Sequence, residues 1–142
     1  GVVFVSLNPL KRFQDARNAS RWTDTTAVLS AIKVNQVDNG GQYLTPAITG
    51  LIGGPNYVIG TATGVSCNSN VVCSAATSTA RCVDLTDLST QGYLSRIPVS
   101  PAGAGTWTDA LTGYYMSRNG NGSITIGACD AEGAGVTISV NR

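Results

Sequence analysis

From Leu10 to Ile32, apolar or small residues return at every third or fourth position, through Phe13, Ala16, Ala19, Trp22, Thr26 and Leu29. That spacing is the signature of one face of an α-helix. Lys11, Arg12, Gln14, Asp15, Arg17, Arg21, Asp24 and Lys33 fill the intervening positions, so the helix is amphipathic and needs a second layer to cover its stripe. Trp22, Leu29 and Ile32 are expected to form that helix–sheet core, with Val28 at its edge. Asp38-Asn39-Gly40-Gly41 supplies residues that tolerate left-handed geometry just past the last turn. Ahead of the helix stands the stretch GVVFVSLNPLKRF. Its Val2, Val3, Phe4, Val5 and Leu7 surround the helix axis instead of marking one stripe, and a helix apolar all round must be buried in a membrane or a large assembly. The stub falls short of the roughly 20 residues that span a bilayer and lacks the basic lead and cleavage site of a signal peptide. It reads as the end of a longer hydrophobic segment. Helix is expected from the stub to Val37, with Pro9 either loosening it as an interior proline or seated in a first turn capped by Asn8.

Beyond Gly41 the character changes. Pro46, Gly50, Gly53-Gly54-Pro55 and Gly60 punctuate a loop-rich connection around a short strand candidate at residues 57–61. CNSNVVCSAATSTARC is rich in Ser, Thr and Asn and needs cross-links to hold a shape. VDLTDLSTQGYLSRIP reads as a short helix or turn with Leu85, Leu88 and Leu94 docked inward and Pro98 ending it. TGYYMSRNGNGSITIGAC is a hairpin turning at Asn119-Gly120-Asn121-Gly122, and residues 135–140 give a third strand with Val136, Ile138 and Val140 on one face. One long helix, an irregular middle and an antiparallel sheet make an α+β layout in which the helix lids the sheet. Residues 1–38 form the helix, as stem remnant and amphipathic half, and residues 39–142 the glycine-rich globular part.

The side-chain inventory excludes several classes of function. Charged residues are 12% of the chain, and nine Lys and Arg nearly cancel eight Asp and Glu, so nothing general draws it to nucleic acid or an anionic membrane. With no histidine, the commonest general base and metal ligand are both missing. Asp84 and Asp87 are the one close carboxylate pair and read as a polar surface turn. The serines have no histidine to activate them, and GNGS and GGPN are turn chemistry without the Lys-Ser/Thr of a phosphate loop. No catalytic residue, cofactor, metal or small-molecule substrate is assigned. Tyr93, Trp107, Tyr114 and Tyr115 could line an adhesive or DNA-contacting face, although alternating aromatics in a strand are more often shared between core and surface. Lys11, Arg12, Arg17 and Arg21 read as a solvated face or as salt bridges to a neighbouring subunit. Cys67, Cys73, Cys82 and Cys129 are too irregularly spaced for zinc and imply two disulfides in an oxidising compartment, with three pairings open. A small loop closed between Cys67 and Cys73, with Cys82 tied to Cys129, is expected first; Cys67 with Cys82 and Cys73 with Cys129 comes next. Of two Asn-x-Ser sequons, Asn18 lies on the helix and is accidental, whereas Asn121 on an exposed turn is a possible glycosylation site.

Four segments together resemble a type IV pilin or type II secretion pseudopilin. VSLNPLKRF is similar to the second half of the hydrophobic stem passing its proline kink. DARNASRWTDTTAVLSAIKVNQVDNGGQYL resembles the family's helix body. YLSRIPVSP resembles its connection into the sheet, with Ser100 where Asp is frequent, and TGYYMSRNGNGSITIGAC resembles its central hairpin. They cover residues 1–44 and 93–129. The prepilin cleavage glycine, its following Phe or Met and the nearby Glu are absent, because Val2 follows Gly1 and position 6 is serine. About twenty residues of stem are therefore expected upstream. The tail also lacks the acidic Pro-Trp-Gly segment of major pseudopilins, which favours pilin. The resemblance implies a pilin fold and a helical filament of identical subunits, held in the inner membrane before assembly and displayed as a cell-surface pilus. Its interface would comprise Val2, Val3, Phe4, Val5, Leu7, Pro9 and Phe13, the larger of them each stabilised by about 1.5–3 kcal/mol on burial. Heterologous contacts of this kind do not close and grow as a helix. The alternative is a minor pilin or pseudopilin acting as an adhesin or in DNA uptake or secretion.

Overall fold

The expected helix runs as α1, Pro9–Asp38, about 45 Å long at 1.5 Å per residue. The computed structural model describes residues 9–43, 46–51, 53–68, 73, 75, 82–103 and 105–142. Val2, Val3, Phe4, Val5, Leu7, any helix ahead of Pro9 and most of the stretch between Cys67 and Cys82 therefore lie outside the described residues. The helix ends where its glycines predict. The Gly41 amide bonds the Gln36 carbonyl at 2.8 Å, with Gly40 and Gly41 both at positive φ (68° and 91°), the geometry that satisfies the last carbonyls of a helix.

Only the second half of α1 is lidded. Its buried residues are Arg21, Thr25, Val28, Leu29, Ala31, Ile32 and Asn35, and they centre the stripe on Val28 and Ile32. Leu29 and Ile32 are in the core as expected, but Trp22 is 43% exposed and is corrected to the flank. At about 100° per residue, the polar residues Arg21, Thr25 and Asn35 occupy the middle of the buried face. An apolar count could not weigh them, and so pulled the stripe toward Trp22 and left Val28 at its edge.

Short elements follow: α2 (Pro46–Thr49), β1 (Tyr57–Val58), a 3-10 turn (Gly64–Asn68), α3 (Thr86–Thr90), β2 (Tyr114–Arg118), β3 (Ile124–Ala128) and β4 (Ser139–Asn141). The strands form one antiparallel sheet in the order β1-β2-β3-β4. Strand periodicity divides its two faces. Tyr114, Met116, Ile124 and Ile126 meet Val28 and Ile32 of the helix, joined by Ile48, Leu85, Leu88 and Ile138. Val58 and Tyr115 point to the far face, where they pack with Cys73 against Trp107, Leu111 and Cys129. Tyr115 lies over its cross-strand partner Gly127, where a Cβ would stand 2.2 Å from the ring.

Three sequence expectations shift. The strand at 57–61 keeps two paired residues, because Ile59 bridges Val83 in parallel and Gly60 rests on the Ala110 carbonyl, which a Cβ would meet at 2.0 Å. The final strand begins at Ser139. Gly133 and Gly135 at φ 110° and 71° hold the preceding residues in a turn, so Val136 is exposed while Ile138 is buried and Val140 half-buried. The disulfides are Cys67–Cys82 and Cys73–Cys129, with Cα separations of 5.6 and 4.7 Å, so the pairing expected first is wrong. The Ile59–Val83 bridge carries Cys82 toward the turn holding Cys67, and Cys73 and Cys129 meet on the far face of the sheet. Contacts of that kind outrank short spacing in sequence.

Candidate assembly surface

The first twelve of the thirty residues of α1 carry no buried side chain. Residues 9–20 are all exposed or half-buried, with Leu10 at 61% and Phe13 at 63% exposure. Lys11 pairs with Asp15 at 3.1 Å across one turn, and both remain in solvent. A twelve-residue arm about 18 Å long thus buries no side chain, with Arg17 and Asn18 near its end bonded to the body. Of the expected interface residues, Pro9 and Phe13 are on this arm.

A polar clamp at the base of the arm sets its direction. Arg17 grips Glu132 with two hydrogen bonds, Nε to Oε2 and Nη2 to Oε1, each 2.6 Å. Asn18 donates to the Glu132 carbonyl at 2.7 Å and accepts from the Glu132 amide at 3.1 Å. Fully buried Arg21 donates Nη1 to Glu132 and Asn18, Nε to the Ser100 hydroxyl and Nη2 to the Pro101 carbonyl, at 2.8–3.0 Å. It also faces Asp130 at 3.8 Å, whose Oδ2 accepts from the Gly105 amide and the Trp107 indole. Hydrogen bonds from Arg17, then from Arg21, hold the Glu132 carboxyl down to about 2 against the opposing effect of burial. One turn further on, Asp24 accepts the Tyr114 hydroxyl. Burial, followed by that bond, pushes the Tyr114 phenol well above its ordinary value. Charge-assisted forks of this kind fix orientation as well as energy.

This clamp corrects the reading of the basic run. Lys11 and Arg12 are exposed, but Arg17 and Arg21 turn inward onto the acidic loop at 130–132. Sequence reasoning missed Asp130 and Glu132; the available signal was their alternate spacing opposite two arginines one helical turn apart. The aromatic side chains do not gather into one exposed face either. Tyr93 bonds Asp38, Trp107 bonds Asp130, Tyr114 bonds Asp24, and Tyr115 is buried. Asp84 and Asp87 are exposed, Asp84 accepting from the amide and hydroxyl of Thr86. Asn121 is exposed on the hairpin turn, accepting from Ser123, whereas Asn18 is engaged by the clamp.

A hollow of about 380 Å³ lies over Ile59 and Leu85, rimmed by Ser89, Asp84, Arg96 and Asp109. Arg96 and Asp109 stand 3.9 Å apart and largely in solvent, a weak pair by position. Among the described residues, no group of three or more His, Cys, Asp or Glu side chains could hold a metal ion, and no helix is long and apolar enough to cross a membrane. No protein-family model matches the chain, and neither does any curated protein or solved structure.

Proposed function

We propose that this protein is a structural, non-enzymatic subunit of a type IV pilus-like extracellular filament, held in the inner membrane before assembly and joined to identical copies through its N-terminal helix. The observation that supports this reading is the division of α1. From Arg21 to Asn35 one face of the helix is covered by the chain's own sheet, with Trp22, Val34 and Val37 exposed on the other faces, whereas the first twelve residues bury no side chain and carry Leu10 and Phe13 bare on a clamped arm. An apolar helix surface left uncovered by its own domain calls for cover from another molecule. The apolar stretch of residues 2–7, directly ahead of that arm, extends the same requirement. Two disulfides suit display outside the cell, where thiols are oxidised.

The test is to shear surface structures from cells that express the full-length protein and identify the constituents by mass spectrometry and electron microscopy. Filaments in which this chain is the dominant protein, absent from a deletion strain, are the expected result. Filaments that contain the chain only as a rare component would favour a minor pilin. A deletion strain with unchanged filaments would contradict the proposal.

A further inference from the structure

The fold treats the two Asn-x-Ser sequons, Asn18-Ala19-Ser20 and Asn121-Gly122-Ser123, in opposite ways. A sugar is joined to the side-chain nitrogen of such a triplet where it lies on an accessible surface. At Asn18 that nitrogen is already engaged. Its Nδ2 donates to the Glu132 carbonyl at 2.7 Å, while Oδ1 accepts from Arg21 and from the Glu132 amide. Ser20 turns its hydroxyl back along the helix to the Ala16 carbonyl. A sugar on Asn18 would have to open the clamp.

Asn121 stands at the tip of the β2–β3 hairpin. The Gly122 amide bonds the Asn119 carbonyl at 2.9 Å and closes the turn around it. Gly120, Asn121 and Gly122 are all exposed, and a Cβ added at either glycine would meet nothing within 4 Å, so there is room at the tip. Oδ1 of Asn121 accepts from the Ser123 amide at 3.0 Å and from the Ser123 hydroxyl at 2.7 Å. A backbone N–H can only donate, which fixes the orientation of the side-chain amide. Nδ2 is then the unengaged end of an exposed side chain, with no partner among the described residues.

Two independent features agree with a modified tip. Both disulfides call for an oxidising compartment, and secreted chains are the ones in which a sequon is used. The tip also lies far from the arm. Tyr43, just past the end of α1, donates its hydroxyl to the Gly122 carbonyl at 3.3 Å, whereas Phe13 lies about 37 Å before Asp38 at 1.5 Å per residue. A bulky group on the hairpin therefore leaves the arm uncovered.

We infer that Asn121 is an N-linked glycosylation site and that Asn18 is not. The reaction joins Nδ2 to the anomeric carbon of a lipid-linked sugar diphosphate. The bond from that carbon to the diphosphate oxygen breaks, the lipid diphosphate leaves with the electron pair, and Nδ2 gives one proton to a base of the host's transferase. The inference requires export and not polymerisation, so it stands apart from the filament reading.

The experiment takes the full-length protein from the surface of producing cells, reduces it, digests it with trypsin and fragments the peptides by mass spectrometry. Cleavage after Arg17, Arg21 and Arg118 isolates residues 18–21 and 119–142 as separate peptides. The expected result is sugar mass on peptide 119–142, located on Asn121, and none on peptide 18–21. Ser123→Thr should keep the sugar, and Ser123→Ala should lose it with Asn121 still in place. An unmodified peptide 119–142 from the parent protein overturns the inference, as does Asn121 converted to aspartate without sugar. Sugar on Asn18, or sugar that survives Ser123→Ala, overturns it equally. The parent protein carries no substitution, so its peptides decide the matter even where a variant fails to accumulate. Filaments are not read in any arm, so the filament reading keeps its own separate test.

Discussion

Replacing Arg21 by methionine keeps most of the side chain's length and apolar contact while removing its charge and every donor. Arg21 is 0% exposed, and the substitution deletes four hydrogen bonds, to Ser100, Asn18, Glu132 and Pro101, together with the approach to Asp130. Glu132 keeps its two bonds from Arg17, so it is not abandoned. Ser100, the Pro101 carbonyl and Asp130 lose a partner in a dry setting, and an orphaned buried acceptor costs about 1–3 kcal/mol. Removing one member of a buried ion pair costs about 3–5 kcal/mol in total, and that is the expected loss. For a domain of this length it corresponds to a fall in Tm of roughly 10–15 °C. Urea unfolding should show a lower midpoint at unchanged slope. In a double-mutant cycle with Glu132→Gln, the coupling should reach about 1 kcal/mol or more. A loss below about 1 kcal/mol with additive single effects would refute the claim that the Arg21 clamp anchors the helix to the body.

Glu132 also predicts an acid dependence. Its folded value of about 2 lies below its ordinary 4.5, so its contribution is fully present above pH 4.5 and drains away as pH falls toward 2. Acid titration followed by circular dichroism should therefore be flatter across that window in Glu132→Gln than in the parent, and parallel curves would contradict the assignment. Ile32→Ala, at a site with no solvent exposure in the helix–sheet core, should cost about 2–5 kcal/mol in a denaturation curve, whereas Trp22→Ala on the flank should cost much less. Peptide mapping without reduction should recover Cys67 joined to Cys82 and Cys73 joined to Cys129. Removing the second bridge, whose cysteines are 56 residues apart, should cost about 4 kcal/mol in the chain-entropy model.

Elements specified by local chemistry were legible in the sequence. The end of α1 follows from Gly40 and Gly41. The β2–β3 hairpin follows from its Asn-Gly-Asn-Gly turn, where Gly122 takes φ 86°, and the α+β layout follows from the order of the two periods. What depended on distant partners was not legible. Arg21 has the residue type of a solvated face, yet it is buried because Asp130, Glu132 and the 100–101 backbone converge on it from more than 75 positions away. The disulfide pairing turned on the parallel bridge between Ile59 and Val83, a contact that no hydrophobic period announces. Trp22 was misplaced for the same reason, since the polar clamp, rather than the apolar stripe, sets the helix's rotation.

The central claim, that the N-terminal helix is an assembly element, is tested most directly by placing charge in the apolar stub. Val5→Asp would bury one unpaired carboxylate per subunit, at a cost of several kcal/mol each, repeated along the whole polymer. The variant is expressed as full-length protein, its body is checked by thermal unfolding, and filaments are counted by electron microscopy of the sheared fraction. The account predicts an unchanged unfolding transition and loss of filaments. Normal filaments built from the variant chain would contradict it and leave the protein better read as a free-standing binding module.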